Sequence, residues 1–417
     1  MNKAVYSRSD ISNAQDDAVP PLAKDGDSPN MTGSQQMNPT TSQLYLPFIV
    51  NPFFSVVSFS TTGPAYAVPA IDEQFIYVGS GFGSRNCFAD IGEVRAFDKY
   101  TLELKWKATV AGAIGDTNLT LVNDLLIFGA GNGVAALRTQ DGNLAWQLHL
   151  SGCFQESFIR FHNDRIFIGS DSGHIYALTA SGQILWSNRL PATVFAAPAV
   201  SENTLFFVDM SNTLTAVNSD TGQIIWQKTI TVDPDKKIGI FASPLLHDNA
   251  LFIATYAGDV WRVSLEGELQ AQHSTNARYV ASPTLCDNAI IAANLEGQVD
   301  WLTVESLTPQ YSLTLESLYL FGTPQCNEQT LIVTTYGQNE MPSMLYYLQA
   351  GQIKAQIEFP CCKHALTTTV VDAERVYNVL TTYSGQRQAM LVRSTLSNSA
   401  KFLPTTDIHL KNILNLN

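Results

Sequence analysis

One tryptophan every 40 residues, each closing the same short phrase, constrains this chain more than any other feature of its sequence. The phrase is clearest in Ala216-Val-Asn-Ser-Asp-Thr-Gly-Gln-Ile-Ile-Trp226, and earlier copies end at Trp106, Trp146 and Trp186. Each copy opens on an alanine, passes through a polar turn and ends on apolar residues before the indole. Asp141-Gly142, Ser181-Gly182 and Thr221-Gly222 supply the backbone freedom of a tight strand-to-strand turn, because glycine tolerates positive φ at little cost. A repeat of this period, with turn chemistry inside each unit and four short strands per unit, reads as a propeller blade. The tryptophans are then blade-docking residues, each ring lying between neighbouring sheets with its N–H on an acceptor.

The rest of the chain keeps the same beat. Innermost strands are predicted over Tyr66 to Ile71, Asn118 to Val122, Phe158 to Phe161, Phe195 to Val200, Phe241 to Leu246, Val280 to Leu285, Leu320 to Gln325 and Ala365 to Val371. Pro69, Pro198, Pro244, Pro283 and Pro324 fall at one register in five of them. The expectation is an all-β chain, a single β-propeller of eight four-stranded blades, with seven as the alternative count. Phe53 to Phe59 is expected to supply the outer strand of the last blade, an N-terminal closure that leaves no open sheet edge within the ring. Lys401 to Pro404 competes with it for that place. The propeller is expected to span residues 44–404, between a polar tail at 1–43 and a C-terminal tail at 405–417. Residues 1–43 show no charged n-region followed by an apolar h-region, so no signal peptide is visible in this sequence.

Composition narrows the partners. Hydrophobic residues make up 45% and charged residues 15%, which suits a packed chain, and the formal net charge of −13 disfavours nucleic acid or an anionic membrane surface. The most apolar stretch, Leu44 to Phe59, is broken by Pro47, Asn51 and Pro52 and falls short of the roughly 20 continuous residues of a membrane helix. No dinucleotide, phosphate-loop, zinc-protease or nucleophile-elbow fingerprint stands in a suitable context. Six cysteines without a CxxC pair exclude a c-type haem attachment and give no zinc signature.

The run at 216–226, together with Arg165-Ile-Phe-Ile-Gly-Ser-Asp-Ser-Gly-His-Ile-Tyr-Ala177, resembles the tryptophan-docking repeat of the pyrroloquinoline quinone (PQQ)-like propeller superfamily. That superfamily includes quinoprotein alcohol dehydrogenases and the outer-membrane assembly lipoprotein BamB. The resemblance implies a non-enzymatic module that binds a protein or peptide partner in the cell envelope, and so a periplasmic or extracellular setting. It also carries an enzymatic alternative, because quinoprotein dehydrogenases hold PQQ against a disulfide of adjacent cysteines, as Cys361-Cys362 would form. No matching set of calcium-ligating side chains accompanies that pair, so neither cofactor nor metal is expected.

Loop lengths point to one face. In an up-and-down blade the connections between blades open on the same side as those between second and third strands. The latter lengthen over 81–92, 336–343 and 383–388, in blades one, seven and eight, which are neighbours once the ring closes. Arg85, Asp90, Glu340, His364 and Arg387 are the candidate binding residues there. Cys87, Cys153, Cys361 and Cys362 map to the same face, whereas Cys286 and Cys326 occupy equivalent turns on the opposite one. An extracytoplasmic disulfide of Cys87 with Cys361 or Cys362 is one expectation, and unpaired cytosolic thiols are the other.

Overall fold

A computed structural model describes residues 54–81, 87, 91–230, 239–316, 320–336, 343–359, 367–372, 375–382 and 388–395. These residues form eight four-stranded antiparallel sheets. Seven sheets are built from consecutive strands; the eighth takes its first three strands from Thr367–Asp372, Arg375–Thr382 and Gln388–Thr395 and its outermost from Phe54–Ser60. The chain is therefore an eight-bladed β-propeller, and Phe54 to Ser60 pairs in unbroken register with Ser394 to Gln388. Lys401 to Pro404, the competing closure, lies outside the described residues.

The outer strands begin at Leu104, Leu144, Ile184 and Ile224 in blades 1 to 4, and in each the tryptophan sits opposite the alanine of its phrase: Ala96, Ala136, Ala177 and Ala216. A β-bulge follows at once in all four pairs. Each indole then seats on the next blade. Trp106 Nε1 donates to Thr139 O at 2.9 Å, Trp146 to Ala180 O at 3.0 Å and Trp186 to Ser219 O at 2.8 Å. The turn glycine of that next blade has positive φ and lies beneath the ring. A Cβ on Gly142, Gly182, Gly222 or Gly267 would come within 2.5, 2.8, 2.6 and 2.8 Å of the respective tryptophan. These glycines are thus needed twice, for the left-handed turn and for the close approach of the indole. Blade 6 repeats the device with Tyr311 on Gly351.

The first strands are shorter than the sequence predicts. They run Ala70–Ile71, Thr120–Val122, Ile159–His162, Ala199–Ser201, Leu245–His247, Thr284–Cys286, Gln325–Asn327 and Thr367–Asp372. In the five proline-bearing blades the ladder starts one residue past the proline, which has no N–H to give it. The residues before it bond sideways, to the next blade. Ala197 N donates to Ser243 Oγ at 3.0 Å, Ser243 N to Ser282 Oγ at 2.9 Å and Ser282 N to Thr323 Oγ1 at 3.3 Å, a belt of hydroxyls around the channel. On the other side of the ring, backbone groups do the same work, as in Val68 N to Thr117 O and Leu119 N to Val68 O.

Blade 8 lacks the tryptophan latch and closes the ring with charge instead. Arg393 donates to Lys99 O, Tyr100 O and, at 2.7 Å, to Ser55 Oγ of the N-terminal strand. Tyr377 OH donates to Lys99 O at 3.0 Å, and Lys99 Nζ reaches Asp372 at 3.0 Å. Across the same seam a buried Glu93 is paired with Arg95 and Lys107, and Arg95 donates to Ser60 O at 2.6 Å while lying over the Phe59 ring. Burial lowers the Arg95 pKa, and the adjacent Glu93 charge opposes that shift.

The hairpins joining first and second strands are two-residue turns with both central residues left-handed at Asn163-Asp164, Asp248-Asn249 and Asp287-Asn288. Asn and Asp accept that conformation more readily than other side chains, and it matches the twist of the flanking strands.

Candidate functional site

The face that carries the second-to-third strand connections and the links between blades is divided in two. Over blades 1 to 3 it is strapped by a disulfide. Cys87, with φ of 47°, is bonded to Cys153, which lies in the link between blades 2 and 3, with a Cα separation of 6.0 Å. The strap crosses blade 2 at close range. A Cβ on Gly131 would meet Cys87 O at 2.6 Å and Gly112 Cα at 2.7 Å, so only glycine lets the three backbones stack. Phe154 N donates to Gly131 O at 2.8 Å and Cys153 N to Asp171 Oδ1 at 2.7 Å, fixing the far anchor. Cys87 therefore pairs with Cys153 and not with Cys361 or Cys362, because it lies over blade 2 with its carbonyl beside Gly131. On the opposite face Cys286 is bonded to Cys326, joining the first strands of blades 6 and 7.

Beneath the same face, over blades 4 to 7, lies a buried apolar cluster. Phe195 stacks on Phe241 at 5.9 Å and 6°, and Tyr256 meets Phe241 edge-on at 5.6 Å. Val280 and Leu295 are buried against them, while Met210 and Phe321 are half-buried. Phe195, Phe241, Val280 and Phe321 each stand two residues before the belt positions Ala197, Ser243, Ser282 and Thr323, so the repeat builds this cluster too. Arg278 caps it, lying 5.4 Å over the Tyr256 ring, donating to its hydroxyl at 3.1 Å and pairing with Glu296 at 3.9 Å.

Ser172 Oγ lies 2.9 Å from His174 Nδ1. Among the described residues no carboxylate is bonded to that imidazole to orient it, so the pair lacks the third member of a nucleophile-base-acid series. Among the described residues no three His, Cys, Asp or Glu side chains converge to hold a metal ion. No helix among the described residues is long and apolar enough to cross a membrane.

Arg85, Asp90, Glu340, His364, Arg387, Cys361 and Cys362 lie outside the described residues. Of the sequence-derived positions, Cys87, Trp106, Trp146, Trp186 and Trp226 are described. The tryptophans sit at blade interfaces away from the loop face. The Phe195 cluster and Arg278 were not anticipated, although phenylalanine recurring three places before proline at 195, 241 and 321 was a visible signal.

A ring of tryptophan-docked, four-stranded blades is the architecture of the PQQ-like β-propellers. The family model described as outer membrane protein assembly factor BamB matches residues 55–160 and 154–313, more than half of the chain, and the chain belongs to that family. Among solved structures it is similar to BamB from Moraxella catarrhalis, with a TM-score of 0.64 at 16% identity over 81% of this chain and 98% of that one. It is similar too to a computationally designed protein, Ika8, with a TM-score of 0.61 at 14% identity over 79% of this chain and 96% of that one. At these identities the likeness is one of fold. A search of curated proteins found no match.

Proposed function

We propose that the chain is a non-enzymatic scaffold that engages a protein or peptide partner in the cell envelope through its loop face. The observation that carries this reading is the Cys87–Cys153 strap. Cys87, in the connection between the second and third strands of blade 1, is tied by a covalent bond to the link between blades 2 and 3, with Gly112 and Gly131 allowing the close approach of the backbones beneath it. Holding an irregular loop in one shape lowers the ordering cost of binding, and recognition residues concentrate on loops carried by rigid scaffolds. Family membership supports a role in protein assembly, and two disulfides support an oxidising compartment such as the periplasm. Arg278, half-buried over the Tyr256 ring on this face, offers the arginine chemistry that protein interfaces favour.

Arg85 and Arg387 are the basic candidates for the partner contact on this face. Reversing both, Arg85→Glu with Arg387→Glu, should abolish recovery of the proteins that co-purify with the wild-type chain from its native envelope, while leaving the melting temperature unchanged. An unchanged set of co-purifying proteins, quantified by mass spectrometry, would remove both residues and this half of the face from the proposal.

A further inference from the structure

The central channel holds one feature that neither the loop face nor the blade latches use. Each blade places one side chain immediately after the proline register of its first strand. The second-strand partners fix the equivalence: Ala70 opposite Tyr77, Arg160 opposite Phe167, Ala199 opposite Phe206, Thr284 opposite Ile291. At this register blade 3 carries a charge, Arg160, where other blades carry Ala, Thr, Leu, Gln or Val.

The structural need at this position is small. Thr284 Oγ1 donates to Pro324 O of the next blade at 2.9 Å, and Arg160 Nε donates to Pro198 O of the next blade at 3.0 Å. One hydroxyl thus makes the same blade-to-blade bond that the guanidinium makes with its first nitrogen. The two terminal nitrogens of Arg160 are surplus to it. Among the described residues they have no hydrogen-bond or ion-pair partner, and the residue is half-buried rather than sealed. Burial lowers the Arg160 pKa, and no neighbouring carboxylate opposes it, unlike at Arg95. A guanidinium half withdrawn from water without a counter-charge gives up part of its hydration for no ion pair, and threonine would hold the blades without that loss. The free edge of a guanidinium is a planar fork matched to two oxygens of one carboxylate.

We propose that the central channel at Arg160 is a binding site for a carboxylate, carried by a small organic acid or by an acidic residue or C-terminus of a peptide that enters the channel. The test uses the full chain in thermal unfolding at neutral pH, titrated with succinate, with the peptide acetyl-Gly-Asp-Gly-amide, with phosphate and with chloride at matched ionic strength. Arg160→Thr installs the residue that blade 6 already uses, and Arg160→Gln, which retains an N–H donor, serves as a second variant. The expected result is a saturable rise in melting temperature of the wild-type protein with succinate or the peptide beyond that with chloride, lost in both variants. A rise with the peptide but not succinate identifies a peptide ligand, and the reverse a small acid. The proposal is overturned if neither carboxylate exceeds chloride, if phosphate alone does, or if the variants respond as the wild type does.

Discussion

Replacing Gly222 by alanine tests the docking of one blade on the next at a single atom. Gly222 has φ of +73°, and its Cβ would stand 2.6 Å from Cδ2 and Cε3 of Trp186. Two costs follow. The left-handed conformation costs a residue with a Cβ about 1–2 kcal/mol, whatever lies nearby. Moving the indole costs a further ~1–3 kcal/mol, because Trp186 is only 9% exposed, packs 6.1 Å from Phe167 and donates to Ser219 O at 2.8 Å. Trp186→Ala should itself cost about 3–5 kcal/mol from lost burial and the cavity left behind. With the ring gone, Gly222→Ala should cost only the backbone part. The double variant is therefore expected to be less destabilised than the sum of the single ones by about 1–3 kcal/mol, read from urea midpoints followed by far-ultraviolet circular dichroism. Additivity within ~0.5 kcal/mol would mean that the glycine and the indole do not act as one contact, and the latch reading would fail.

Two further outcomes follow from the seams between blades. Burial pushes the Asp300 carboxyl up, but hydrogen bonds from His273, Ser312 and Gln298 and the charge of His273 together hold it below the ordinary carboxylate value. A carboxyl lowered in the folded state contributes stability that is present above its unfolded pKa, about 3.9, and is lost as pH falls through the folded value; Asp300→Asn should cost about 1.5–3 kcal/mol at pH 7 and flatten the acid limb of the stability profile below pH ~4. An unaltered acid limb would contradict the role given to this network. At the closing seam, Arg393→Met removes the donors to Lys99 O, Tyr100 O and Ser55 Oγ, and should cost about 1.5–3 kcal/mol and speed amide exchange across Phe54 to Ser60 while blade 4 is unaffected. Equal acceleration in both blades would show that the arginine does not act as a local clasp.

The fold was legible because its determinants are local and repeated. Glycine, alanine and tryptophan recur at fixed offsets, and those three residue types are what a turn beneath an indole requires. The closing strand could be placed as well, since Phe53 to Phe59 precedes Pro69 as other outer strands precede their prolines. Less of the inner ring was visible. The residues before Pro198, Pro244 and Pro283 look like strand by composition, yet their N–H groups bond to hydroxyls of the next blade, a non-local choice that no window of sequence displays. The same limit applies to the strap. Cys87 and Cys153 are 66 residues apart, and only the placement of Cys87 over blade 2, beside Gly131, brings them together. Arg160 was equally hidden, because its oddity appears only when eight strands are superposed register by register. Blade 8 departs from the repeat for a physical reason. Its outer strand enters from the N-terminus rather than from a hairpin, so it has no alanine-to-tryptophan phrase and latches through Arg393 and Tyr377.

The central claim is that the loop face, and not its opposite, meets a protein partner. A photo-reactive residue placed at Asp171 or Glu296 on the loop face, or at Glu202 or Asp220 on the other, addresses it in cells that express the chain natively; all four positions are exposed. The account predicts a discrete higher-mass adduct from Asp171 or Glu296 after irradiation, and none from Glu202 or Asp220. Adducts from the opposite face alone, or from no position, would contradict it.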